Sequence, residues 1–227
     1  MNKKILSIIA FALFLFVVGT IFVRPHKAHA PEIIPPKNIA IDTFVTHDRT
    51  TSDGTITFGY SSSTFGLAAS GEQVPVHSYI PPCASNFTYC LYFHSDIYKG
   101  TNFESAGLRV QKRNDLMTLR ACTDTPPEGH TEFTPRIKKS SQYTTSTFLP
   151  LGDGAAGHYA SGALYRLSYN NVCYEFETRI GMSQYANYPE GTIKKFTDED
   201  QKEVNSQLLN VLESITLPRG EKVLFPT

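Results

Sequence analysis

The chain has 227 residues, with 21 Lys and Arg against 21 Asp and Glu and a formal net charge of zero. No basic stripe or acidic tail in the sequence points to nucleic acid or an anionic surface. Trp is absent, whereas 12 Tyr and 15 Phe give a composition that suits strands more than helices.

Met1-Asn2-Lys3-Lys4 precedes nineteen residues, Ile5 to Val23, that carry no charge. A basic start, an apolar run and the small-x-small triplet Ala28-His29-Ala30 make an export signal for a bacterial-type plasma membrane. The lysines stay on the cytoplasmic side, so everything after Val23 is expected outside. Two outcomes stay open for residues 1–30. Cleavage after Ala30 releases a periplasmic or secreted protein. Retention leaves residues 5–23 as a single-pass transmembrane helix, whose ~28 Å comes close to the ~30 Å hydrocarbon core. The length of the run, and Pro31 directly after the triplet, favour the anchor. No Cys lies near the end of the run, so a lipid anchor is not expected.

Residues 31–38, which include Pro31, Pro35 and Pro36, read as an extended linker. One globular domain over 39–227 follows, long enough to build a proper core. Thr55 to Tyr60 alternates with period two after the turn pair Asp53-Gly54 and reads as a strand, with Phe65 to Ala68 as its partner. Cys90 to Phe93 and Gly107 to Gln111 are further strands. Asp115 to Cys122 reads as a short helix stopped by Pro126-Pro127. Residues 128–145 are polar and read as a long surface loop. Ala163 to Tyr169, Asn170-Asn171 and Val172 to Ile180 make a β-hairpin, because Asn tolerates the positive φ of a two-residue turn. Thr197 caps a helix whose first turn is acidic, Asp198-Glu199-Asp200. Val204, Leu208, Val211, Leu212 and Ile215 form one stripe along it, and Pro218 ends it. Val223 to Phe225 is a tail strand or a loose end. Strands first and an amphipathic helix last make an α+β domain with a mostly antiparallel sheet and a packed C-terminal helix.

Four cysteines, Cys83, Cys90, Cys122 and Cys173, read as two disulfides in an exported chain. Three pairings are possible; Cys83–Cys90 with Cys122–Cys173 is favoured, one closing a short loop and the other stapling distant segments. Spacings of 7, 32 and 51 without a CxxC pair do not resemble a zinc site.

Gly152-Asp153-Gly154-Ala155-Ala156-Gly157 matches G-x-G-x-x-G, but a dinucleotide site needs a helix after it and the following residues look like a strand. A tight or mobile loop entering the hairpin is expected instead. His158 adjoins that loop, with Asp153 five residues before it, and is the candidate general base or ligand. No nucleophile elbow surrounds Ser161. Glu175 and Glu177 share a strand face and are expected in solvent. Asn86-Phe87-Thr88 fits a glycosylation sequon that a bacterial export signal makes irrelevant. Tyr185 to Pro189 is a loop that either forms a binding lip or packs on the last helix.

Gly100-Thr101-Asn102-Phe103-Glu104-Ser105-Ala106, Gly154-Ala155-Ala156-Gly157-His158, the hairpin through Asn171 to Glu175 and the terminal helix follow one another in a familiar order. Over roughly residues 55–217 the chain resembles a group of uncharacterised exported bacterial proteins. Their order of elements is similar to the PsbP-like fold, an α/β/α sandwich around an antiparallel sheet. The resemblance implies an accessory role at a membrane complex and carries over no catalytic residue. The preferred expectation is a non-enzymatic envelope protein that binds a protein or small ligand, with no cofactor, metal or nucleic acid. The alternative is an envelope hydrolase with His158, Asp153 and Glu175 in one cleft; a structural anchor domain is the third.

Overall fold

The computed structural model describes residues 46–83, 86–130 and 132–226. The expected export segment (1–30), linker (31–38) and first residues of the domain lie outside the described residues. Among those described, no helix is long and apolar enough to cross a membrane.

Among the described residues, nine strands and two α-helices follow in chain order: β1 Thr46–Thr50, β2 Thr57–Ser61, β3 Phe65–Ala69, β4 Tyr89–Phe93, β5 Phe103–Lys112, α1 Leu119–Asp124, β6 Arg136–Lys139, β7 Thr144–Ala155, β8 His158–Tyr169, β9 Val172–Ser183 and α2 Asp198–Glu213. Seven strands form one sheet in the order β3-β4-β5-β9-β8-β7-β6. Every neighbouring pair is antiparallel. The α+β class with a mostly antiparallel sheet is therefore as expected. The partner of β2 is not. It pairs with β1 in a separate two-stranded ribbon, while β3 pairs with β4. Three residues between β2 and β3 carry the chain from the ribbon to the edge of the main sheet.

The hairpin turn is a matter of local chemistry. Tyr169 faces Val172, so Asn170 and Asn171 alone make the turn, at φ 49° and 60°. Two positive φ values match the right-handed twist of the strands they join. Both strands run past their expected ends, from His158 and to Ser183. The glycine-rich segment is not a loop. Gly152 to Ala155 extend β7, and Ala156-Gly157 turn directly into β8. The expected surface loop over 128–145 also holds structure, because β6 and the start of β7 lie within it. Thr144 to Thr147 are buried despite their polarity. The short helix starts later than its sequence indicates, where Thr118 Oγ1 accepts from the Ala121 amide.

Period-two alternation gives the sheet two unlike faces. Leu91, Leu108, Val110, Leu167 and Phe176 point toward α2 and join its buried Val204, Leu208, Val211 and Leu212. Burial of each such side chain contributes about 1.5–3 kcal/mol against the unfolded chain. Thr197 and Asp200 close a reciprocal capping box at the start of α2. The helix ends at Glu213, ahead of Pro218, because Ser214 turns its hydroxyl to Gly59 of β2 and Thr216 bridges to Thr57. Ile215 lies past the helix yet is fully buried. The tail is packed rather than loose: Val223 is buried and the Phe225 ring meets Tyr165 and Phe176 edge-on.

Candidate functional site

The second face of the sheet carries the chemistry. Arg109 and Gln111 of β5, Glu175, Glu177 and Arg179 of β9, and Arg166 of β8 stand at alternate positions on adjacent strands. Register sets Arg109 opposite Glu177 and Arg166 opposite Glu175. Opposite charges directly across an antiparallel pair attract. The expectation that Glu175 and Glu177 are solvated is corrected here: they are 2% and 8% exposed.

Their burial follows from their partners. Glu175 accepts from Arg109 at 2.9 Å, Arg113 at 2.7 Å and Arg166 at 2.8 Å. Glu177 accepts from Arg109 and Arg179, each at 2.6 Å. A carboxylate taken out of water needs such pairing to stay ionised. Arg166 is itself 1% exposed, and burial lowers its pKa while Glu175 opposes that shift. Its guanidinium also lies over the Phe148 ring and donates to the carbonyls of Cys122 and Thr125. Arg113 is held protonated above all by its hydrogen bonds to Asp115, whose own pKa falls to about 2.

These contacts fasten a roof onto the sheet. The Cys122–Cys173 disulfide ties α1 to β9, and Arg166 holds the segment just after α1. The second disulfide, Cys83–Cys90, ties the approach of β4 to its own strand. Both pairings are the favoured ones. Between roof and sheet lies a cleft of about 980 Å³. Its floor is lined by the small residues Gly152, Ala160 and Gly162. Gly162 is fixed by the backbone, since a Cβ there would come within 1.9 Å of the Thr178 carbonyl oxygen.

Asp153 lines this cleft but His158 does not. The structure gives His158 a different carboxylate, Glu104. A register shift between Phe103 and Ser105 turns Glu104 toward β8, where Oε1 takes a short hydrogen bond from His158 Nδ1. A carboxylate only accepts, so Nδ1 carries the proton and Nε2 is the free base in the neutral ring. The ring stacks on Tyr79 at 4.6 Å and 17°, and Tyr79 is 59% exposed. Glu104 Oε2 also accepts from Ser78 at 3.4 Å. The arrangement is an oriented imidazole at the start of β8, outside the lining of the arginine-lined cleft. The Tyr185–Asn187 segment is a turn of 3-10 helix beside the β7–β8 turn. Gln184 donates to the Gly157 carbonyl, and the Tyr188 hydroxyl meets Ser183 at 2.8 Å.

Among the described residues no group of three or more His, Cys, Asp or Glu is placed to hold a metal ion. Gly152 and Gly154 lie in a strand that leads to another strand, so they aim no helix N-terminus at a phosphate. The four arginines and Glu104 were not singled out from sequence. The signal for the arginines was present: Glu175, Glu177 and Arg179 repeat at period two on a long strand, and Arg109 and Arg166 sit at matching parity on strands that neighbour it. Comparison with known proteins gives no match, neither to a family model nor to a curated protein.

Proposed function

We propose that this chain is an extracytoplasmic binding or accessory protein of the cell envelope, membrane-anchored or released, that takes a small polar ligand in the cleft of the second sheet face. The observation that carries the reading is the prebuilt cleft itself. Its volume of about 980 Å³ lies at the upper end of small-ligand sites. Its walls are held by ion pairs and a disulfide before any ligand arrives, which lowers the ordering cost of binding. Two disulfides suit an oxidising compartment. The resemblance to exported bacterial proteins with a PsbP-like order of elements supports an accessory role over catalysis.

Native mass spectrometry of the protein isolated undenatured from its own cell envelope tests the reading. The expected result is a mass above that of the oxidised chain by one small molecule, lost on unfolding. A bare mass, together with no binding in a screen of small polar metabolites, refutes it. The same spectrum reports whether residues 1–30 remain. A second reading, hydrolysis at His158, draws on the Glu104 hydrogen bond that orients the ring. Turnover of 4-nitrophenyl acetate that His158→Gln abolishes supports it; no turnover, or turnover that survives the substitution, dismisses it.

A further inference from the structure

The charges of the cleft are segregated, and that segregation names a ligand class if the cleft is the binding site proposed above. Arg109, Arg113, Arg166 and Arg179 outnumber their partners Glu175, Glu177 and Asp115 by one. The excess has an open donor. Arg179 spends Nε and one terminal nitrogen on Glu177 and leaves the other terminal nitrogen without a described partner. At the other end stands Asp153, an exposed carboxylate with no described hydrogen bond or ion pair. One end of the cleft thus lacks an anion and the other lacks a cation.

Register gives the distance between the ends. Asp153 faces Ala160 across β7–β8, and Gly162 faces Arg179 across β8–β9. Two strand spacings across and two residues along separate the Cα atoms of Asp153 and Arg179 by roughly 12 Å. Only Ala160 and Gly162 of β8 lie between them, and Gly162 is barred from carrying a side chain. An extended tripeptide spans about 10 Å, and its backbone fits over such a bare floor. The roof loop also turns Glu128 and His130 toward the same space.

We propose that the cleft binds a short zwitterion of the peptide class, with its free carboxylate at Arg179 and its free ammonium at Asp153. A simple anion leaves Asp153 unmatched, and a simple cation leaves the arginines unmatched.

The test is isothermal titration of the full-length oxidised protein with trialanine, N-acetyl-trialanine and trialanine amide. Trialanine binds, and each cap weakens binding at least about tenfold, because each leaves one charged wall unpaired. Asp153→Asn removes the discrimination against the acetylated peptide while Glu128→Gln retains it. Arg179→Gln removes the discrimination against the amide. Caps that change affinity less than about twofold overturn the proposal, as does loss of amine selectivity with Glu128→Gln in place of Asp153→Asn. The capped-peptide arms use unaltered protein, so they decide even if a variant fails to fold. Absent trialanine binding at about 10 mM, alongside a bound molecule of single charge in the native mass, refutes the zwitterion and leaves the cleft reading standing. Absence of both refutes the two together.

Discussion

Glu175→Gln isolates what the buried ion network contributes. The carboxylate accepts from three guanidinium groups at 2.7–2.9 Å, and it is 2% exposed. Glutamine keeps the shape but loses the charge, and it turns an amide NH2 group toward donors. Breaking a buried pair by removing one partner costs about 3–5 kcal/mol, because the remaining charge is stranded. Arg166 dominates that cost, since Arg109 and Arg113 keep Glu177 and Asp115 as partners. Against a typical domain stability of about 5–15 kcal/mol the loss is large. With a urea slope of about 1–3 kcal/mol per molar, the unfolding midpoint falls by roughly 1–5 M. The comparison is Asp115→Asn. Its ion pair with Arg113 is short, at 2.6 Å, but the Asp115 side chain is 63% exposed. Solvent screening limits that substitution to about 1 kcal/mol or less. Urea unfolding of the disulfide-intact protein, followed by near-ultraviolet circular dichroism, measures both. A Glu175→Gln loss below about 1 kcal/mol, or a larger loss for Asp115→Asn, refutes the argument that burial rather than distance sets the contribution.

The two disulfides should differ in the same assay. In the chain-entropy account Cys122–Cys173, separated by 51 residues, restrains the unfolded chain by about 4 kcal/mol, and Cys83–Cys90, separated by 7, by about 2.4 kcal/mol. Paired Ser substitutions that reverse this order count against the loop-length explanation. Asp53 gives an acid dependence. Burial opposes its ionisation, but hydrogen bonds from Tyr174, Thr51 and Lys112 outweigh burial and hold its pKa well below the usual range. The folded state therefore binds fewer protons here than the unfolded one. Stability from Asp53 is complete above the unfolded value near ~4 and is lost as the pH falls toward the folded value. Asp53→Asn lowers stability at neutral pH by about 1.5–3 kcal/mol and loses less than the parent between pH 5 and pH 2. Parallel acid profiles for the two proteins refute the assignment.

Legibility divided along the range of the interactions. Thr197, Asp200 and the stripe from Val204 to Leu212 marked α2, because capping and helical periodicity are complete within sixteen residues. Asn170-Asn171 marked the hairpin for the same reason, and cysteine spacing favoured the bridges the structure has. The Gly152–Gly157 segment misled because glycines flanking Asp153 look like a loop, while the pairing of Asp153 with Ala160 that makes it a strand is not written in the segment itself.

The sequence by itself determined which residues alternate on β9. Only the tertiary structure decided that Glu175 and Glu177 are buried. Alternation names two faces without saying which is covered, and the covering came from Arg109 on β5, Arg166 on β8 and the roof pinned by Cys122. His158 was visible as a candidate, but its carboxylate was not, because Glu104 reaches it across fifty-four positions of chain through a shift of strand register. A charge placed on a strand is local information. Its partner, and therefore its solvation and its use, belongs to whichever strand the fold sets beside it.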